Sequence, residues 1–511
     1  MPATWERRAA LAPGIWLLAA ATAGAVECPY TLDWYRLNHG RHDNICTALY
    51  EQWVARGCAA PAPGARGAAA AEFATDVNMS TPDFSIDENE FQIEFHPTDR
   101  LLAVAASNTA SDFSSGVTIY RTTNGGASWS SSLALPEEPT CCDPGVAFSA
   151  GGDVYVTILD LSPAVTRVLK STDQGASWTL IASPAVIDRP SLAIDNSSAS
   201  PRFGHLYLTW FDGVSGRIKG YRSSDGGVNW GAAFFVGAPL AGGYQQASDP
   251  QVAADGALYV GYQEYASATP NCATQVRNVV AKSTDGGASF SHTVVPIVQG
   301  GVCRPMQAGR GEFCINAAGE TFRSRSHPIL GLDPSDPALV YMVFSGGELE
   351  SAYSCGGASG RHSDTLLRRS TNGGASFSAP IKINQDPAGK DQYYPWLAVT
   401  PSGVLYAGWH DRRGDPNNFQ HRWYTAASFD RGLTWRETVV SSAASTPSTF
   451  IGDYAGIAAV DEKVLGVWWD RRNGFNANAY TDPHVPPRVL LVTGSASGGG
   501  AVLRRFGTAP L

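Results

Sequence analysis

The chain has 511 residues, 43% of them hydrophobic and 16% charged, with a formal net charge of −9 at pH 7. An acidic chain without an offsetting basic stripe excludes a nucleic-acid partner. Its 54 glycines and 14 tryptophans argue for many short strands and turns rather than a helical protein.

The first segment reads as an export signal. Arg7 and Arg8 precede an apolar run from Ala9 to Ala21, and Ala23-Gly24-Ala25 has the small-x-small form of a cleavage site. The run is too short to cross a bilayer, so residues 1–25 predict a secreted or periplasmic protein with no membrane span. Residues 26–58 form a small segment with Cys28, Cys46 and Cys58 and a predicted short helix around Thr47 to Arg56. Ala59 to Ala71 is a flexible linker, and residues 59–87 lead into the rest of the chain. Nine cysteines fit an oxidising destination, and Cys303 and Cys314 lie close enough in sequence to close a loop. None has CxxC spacing, so zinc is not expected. No cofactor and no site metal are expected, with a structural divalent cation such as calcium left open.

From residue 88 onward the sequence repeats. Six segments share the form Ser/Thr-x-Asp/Asn-x-Gly-x-Ser/Thr/Asn-Trp/Phe: Thr122 to Trp129, Ser171 to Trp178, Ser223 to Trp230, Ser283 to Phe290, Ser370 to Phe377 and Ser428 to Trp435. The short Asp or Asn side chain can accept bonds from turn N–H groups, and Gly supplies positive φ. The closing aromatic starts the next strand and can pack between sheets. Each turn belongs to a longer unit of about four strands, which is the pattern of a propeller blade.

Counting by first strands predicts an all-β, seven-bladed β-propeller over residues 88–511, with six blades as the alternative. Phe91 to Pro97 opens the first blade. Asp453 to Ile457 opens the last, followed by a strand at Val464 to Trp469 and a predicted third strand at Pro487 to Thr493. Gly494 to Gly498 then reads as a decayed copy of the turn. The excess between the fourth and fifth turns predicts a long loop crossing the propeller face.

In such a fold the starts of first strands and the ends of second strands converge around the channel mouth. Asn89, Glu90, Asp143, Asp188, Arg189, Asp249, His327, Tyr393, Tyr394, Asp453 and Tyr454 stand at the starts. Asp160, Asp212, Glu264, Asp411-Arg412-Arg413 and Asp470-Arg471-Arg472 stand at the ends. Two readings compete for this ring. Acids and arginines can pair across blades as structure, or they can line a glycan site, with carboxylates as acid and base and arginines on anionic groups.

The repeated turns are Asp boxes, and residues 88 to about 505 resemble the sialidase superfamily of BNR-repeat propellers. That resemblance implies a Tyr nucleophile, an Asp acid/base and arginines that clamp a substrate carboxylate. Tyr454, in Gly452-Asp453-Tyr454, stands where the tyrosine is expected. No Arg-Ile-Pro motif precedes Thr122, and Gln263 and Glu264 stand where a second arginine is expected. The phrases Cys141-Cys142-Asp143-Pro144, Trp-x-Asp-Arg-Arg and Gly452-Asp453-Tyr454 are similar to secreted sialidase-like propellers, which makes these nearer than true sialidases.

The expected function is therefore a secreted glycoside hydrolase or related carbohydrate-active enzyme, acting as a monomer on a glycan or glycoconjugate. Tyr454, Asp453, Asp249 and Asp188 are the expected catalytic residues. Arg189, Arg412, Arg471, Tyr394, Glu264, Asp411 and Asp470 are the expected substrate-binding residues. The alternative is a non-catalytic propeller that binds glycans or proteins.

Overall fold

The computed structural model describes residues 76–80, 88–109, 116–133, 142–161, 164–186, 188–265, 276–295, 311–324, 327–347, 363–386, 389–461, 463–472 and 477–483. All lie within one unit, Phe73–Arg488. The export signal and the Cys-containing segment at 26–58 fall outside them.

Seven antiparallel four-stranded sheets form the fold, and every named element is a strand. Blade 1 runs Glu88–Phe95, Ala103–Thr109, Val117–Thr122, Ser130–Leu133, and blade 2 runs Cys142–Phe148, Val154–Leu161, Ala164–Ser171, Thr179–Ala182. Blade 3 runs Ser191–Ile194, Leu206–Asp212, Arg217–Ser223, Phe234–Phe235. Blade 4 runs Tyr244–Val252, Leu258–Tyr265, Val276–Ser283, Ser291–Val295. Blade 5 runs Ile329–Leu332, Val340–Gly347, Ser363–Ser370, Ile381–Lys382, and blade 6 runs Gln392–Val399, Leu405–Asp411, Arg422–Ser428, Arg436–Val439. The innermost strands of successive blades touch one another, and blade 7 returns to blade 1.

Blade 7 differs from the sequence expectation. Its inner strands are Gly456–Val460 and Lys463–Asp470, its third strand is Asn478–Thr481, and its outer strand is Val77–Asn78 from the other end of the chain. The predicted third strand at Pro487 to Thr493 and the decayed turn after it lie outside the described residues. The topology explains why seven blades need only six boxes. The box is the turn between third and fourth strands, and in blade 7 those strands are not consecutive in sequence.

All six boxes fold alike. In the last, Ser428 Oγ donates to Asp430 Oδ1 at 2.8 Å, Gly432 N donates to Ser428 Oγ at 2.8 Å, and Thr434 N donates to Asp430 Oδ1 at 2.8 Å. The fifth box position needs Gly twice over. Gly432 has φ +82, and a Cβ there would stand 2.6 Å from Leu367 Cδ2 of the preceding blade. The fourth position is also left-handed, and its carbonyl receives a cation from the preceding blade. Arg121 Nε donates to Gln174 O at 2.8 Å, Arg222 Nη1 to Gly286 O at 3.0 Å, and Lys463 Nζ to Gly125 O at 2.8 Å. The last of these joins blade 7 to blade 1.

The core sits in the seams between blades, so no blade buries its faces alone. Val104, Ala106 and Ile119 of blade 1 pack on Val146, Val156 and Leu169 of blade 2, with the box residue Trp178 against them. Trp435 closes the seam between blades 5 and 6 with Tyr341, Leu367 and Leu405. Truncating such a buried tryptophan to alanine costs about 3–5 kcal/mol. The described part of the long insertion is a hairpin, Gly311–Cys314 with Thr321–Ser324, whose Phe313 and Phe322 pack on Tyr393, Tyr394 and Phe91.

Candidate functional site

The ends of the second strands form a rim of acids, and each acid is engaged by a cation of its own blade. Asp160 pairs with Arg167 at 3.0 Å and Asp212 with Lys219 at 2.8 Å; Glu264 pairs with Arg277. Blades 6 and 7 repeat one circuit. Trp409 Nε1 donates to Asp411 Oδ2 at 2.8 Å, and Arg413 Nη2 donates to the same oxygen at 2.6 Å. Arg413 also pairs with Glu437 and lies 4.4 Å from the Tyr424 ring centroid. In blade 7 the same roles fall to Trp468, Asp470, Arg472, Asp76 and Tyr480. The structural reading of the ring therefore describes Glu264, Asp411 and Asp470.

Arg412 and Arg471 are not among the residues lining the central cavity. Arg412 is fully buried, donating to Asn418 O at 2.8 Å and lying 5.2–5.7 Å from the ring centroids of Phe322, Tyr393 and Phe313. The hairpin thus covers a guanidinium that sequence reasoning assigned to substrate. Arg471 is half-buried, with its backbone N–H on Ser445 Oγ at 2.8 Å.

The starts of the first strands behave as latches between blades. Asp143 N donates to Asn108 Oδ1 at 2.9 Å, Arg189 N to Asp143 Oδ2 at 3.3 Å, and Leu330 N to Asp249 Oδ2 at 2.6 Å. Tyr394 OH donates to Gly452 O at 2.8 Å. Glu90, Asp143, Ala247 and Tyr394 hold left-handed φ of 50 to 62° beside register shifts in blades 1, 2, 4 and 6, and Arg189 holds φ 46° at the entrance to blade 3. Such bulges re-aim the side chain and strain a non-glycine residue. Since Ala247 shares the conformation without a polar group, the bulge belongs to the fold.

Inside this ring the inner strands enclose a cavity of about 560 Å³. Gln92, Glu94, Arg189, Asp249, Gln251 and Tyr454 are among its polar lining. Three expected site residues, Arg189, Asp249 and Tyr454, are thus brought together from blades 3, 4 and 7. Asp188 and Asp453 are half-buried at the strand entrances immediately before Arg189 and Tyr454. Tyr454 is 4% exposed, and the Arg189 guanidinium lies 4.7 Å from its ring centroid. Arg189 Nη1 is buried and has no hydrogen-bond partner.

The electrostatics of the lumen are uneven. Burial pushes the Tyr454 phenol well above its usual range, and the charges of Glu90 and Asp143 add to this while Arg189 opposes it. Burial pushes Asp249 up to about 6, opposed by the Leu330 N–H and by Arg189. Glu94, which sequence reasoning missed, is pushed up to about 8 by its enclosure and by the Asp249 charge. Its side chain is exposed within the lumen, so water there offsets part of that penalty, and the upward direction is what its chemistry uses.

The fold and site define a seven-bladed propeller with an acid-bearing central cavity. No protein-family model and no curated protein matches the chain. Among solved structures it is similar to an α-L-arabinofuranosidase of Fusarium graminearum, at 15% identity and TM-score 0.41, over 66% of this chain and 91% of that one. It is also similar to a protein of unknown function from Dyadobacter fermentans, at 11% identity and TM-score 0.42, over 80% and 98%. A Trypanosoma rangeli sialidase is similar at 12% identity and TM-score 0.37, over 78% of this chain and 55% of that one.

Proposed function

We propose that this protein is an exported carbohydrate-active enzyme that cleaves a glycosidic bond within the central cavity. The observation that carries the reading is the convergence of Arg189, Asp249 and Tyr454, from three separate blades, on one cavity of about 560 Å³. A volume of that order suits a small ligand or one end of a larger one. Arg189, with a free donor and its guanidinium on the face of Tyr454, binds a hydroxyl or an anionic group of the sugar. Asp249, titrating near 6, is a carboxylate able to accept a proton at neutral pH.

Tyr454 is assigned to holding Arg189 over the lumen. Forming a phenolate beside Glu90, Asp143 and Asp453 is unfavourable, which weighs against its expected role as nucleophile. Arg189 is the one arginine among the described residues lining the cavity, so a three-arginine carboxylate clamp has no support here. A second reading, a propeller that binds glycans without cleaving them, draws on the rim, where acids and cations neutralise one another.

The test is turnover of a panel of neutral and acidic aryl glycosides and oligosaccharides by wild type, Asp249→Asn and Arg189→Ala. Turnover lost in Asp249→Asn with the fold intact supports the enzyme. Binding without turnover across the panel supports the second reading.

A further inference from the structure

Resting on that reading of the lumen, the geometry points to Glu94 as its proton donor, working with Asp249 as base in an inverting hydrolysis. The internal repeat provides the first argument. Glu94 pairs with Val104 of the second strand, and its counterparts in the other blades are Ala147, Ala193, Gln251, Gly331, Ala398 and Ala458. Apart from Gln251 these counterparts are alanine or glycine, and a carboxylate occurs in blade 1 alone. At the level of Asp249 the counterparts are Gln92, Gly145, Ser191, Ile329, Trp396 and Gly456, again without another acid. Both acids depart from a seven-fold pattern that the scaffold otherwise satisfies with uncharged side chains.

The second argument is placement. Both side chains line the same cavity, and they come from blades 1 and 4, which are not neighbours in the ring. Among the carboxylates lining the cavity, Asp249 accepts from Leu330 N and Asp333 from Ser335, whereas Glu94 accepts no hydrogen bond from the described residues. Its oxygens are free for a ligand. Carboxyl groups from non-adjacent blades suit the wider separation that admits a water between them, the arrangement of inverting glycosidases.

The step balances without a cofactor. Glu94 transfers its proton to the glycosidic oxygen as the bond from that oxygen to the anomeric carbon breaks, and the electron pair leaves with the oxygen. Water adds to the anomeric carbon from the opposite face and gives its proton to Asp249. One glycoside and one water become two hydroxyl products. The higher titration of Glu94 and the lower one of Asp249 suit these roles near neutral pH.

The experiment uses the full chain and the aryl glycosides that wild type turns over. Proton NMR of the first product anomer is combined with pH–rate profiles of wild type, Glu94→Gln and Asp249→Asn, and circular dichroism checks each fold. Expected are an inverted product, a fall of about 10²–10⁴-fold in kcat for Glu94→Gln, and loss of the alkaline limb of its profile. Adding azide is expected to restore Asp249→Asn partly, giving a β-azide from an α-glycoside or the reverse. A retained product, or an alkaline limb unchanged in Glu94→Gln, overturns the assignment while leaving the enzyme reading in place. No turnover by wild type on any glycoside removes both.

Discussion

The rim and the lumen carry the same residue types to opposite ends. On the rim, Asp411 receives Trp409 Nε1 and the Arg413 guanidinium, and Asp470 is held in the same way in blade 7. Five blades answer an acid at the end of the second strand with a cation on the third, or with the arginine two residues on. In the lumen, Glu94 has no hydrogen-bond partner among the described residues and Arg189 Nη1 is buried without one. Recurrence at the rim marks acids whose charge is answered inside the scaffold. Departure from the repeat marks groups left available to something else. A catalogue of polar residues around a propeller channel therefore says little until each has been compared with its counterparts in the other blades.

The largest expected effect is on rate. Asp249→Asn should lower kcat by about 10²–10⁴-fold, with the melting temperature unchanged or raised, because it removes a buried charge. If that variant turns over like wild type, the lumen loses its claim to the chemistry. On the rim the effect should fall on stability instead. Arg413→Ala leaves Asp411 and Glu437 facing each other without their shared cation, at a cost of about 3–5 kcal/mol in denaturant unfolding. Its kcat should stay near wild type at temperatures where it is folded. A rim variant that folds well but loses activity would erase the contrast.

Tyr454→Phe should have a smaller effect. Phenylalanine keeps the ring face on which Arg189 rests, so kcat/KM should fall by less than about tenfold. A complete loss of turnover would return the tyrosine to the nucleophile's role that its place after the last box suggests.

The scaffold was legible because its signals are local. A box needs only a hydroxyl, an acid or amide, a glycine and an aromatic at fixed offsets, and all six fold with the same hydrogen bonds. Seven blades followed from counting first strands, but the outer strand of blade 7 did not. Val77–Asn78 joins it from hundreds of residues away, and no turn chemistry announces such a pairing. Of the site, Arg189, Asp249 and Tyr454 were legible from their place at strand entrances. The burial of Arg412 was not legible, because it depends on a hairpin inserted between blades 4 and 5. Glu94 was hidden because it lies well inside the first strand of blade 1, whereas the candidates were residues at strand starts and ends. The shared Asp-Pro pair makes Asp249 look equivalent to Asp143, whereas the ladder pairs Asp249 with Gly261 and Gly145 with Thr157. Anchoring each blade on the box serine or threonine, which pairs with the first residue of the second strand, restores the register. Glu94 then stands as the one carboxylate among four alanines, a glycine and a glutamine.

The smallest expected effect gives the two kinds of carboxylate opposite signs. Box acids are held ionised by hydrogen bonds from their own turn, and those of Asn229 and Ser223 bring Asp225 down to about 2. A group with a depressed folded pKa lends stability above its unfolded value near 3.8, and that stability is lost as pH falls toward 2. Glu94 is shifted the other way, from 4.5 to about 8. Across that window the folded state holds more protons than the unfolded state, so stability falls as pH rises and levels off once Glu94 is ionised in both. Removing the charge removes the slope. Melting curves of Glu94→Gln and wild type should coincide near pH 4 and separate in favour of the variant up to about pH 8. Water in the lumen keeps the gap small, on the order of 1–3 °C. A gap that is constant with pH would mean that Glu94 titrates like an ordinary surface carboxylate, and the lumen would then differ from the rim in shape but not in chemistry.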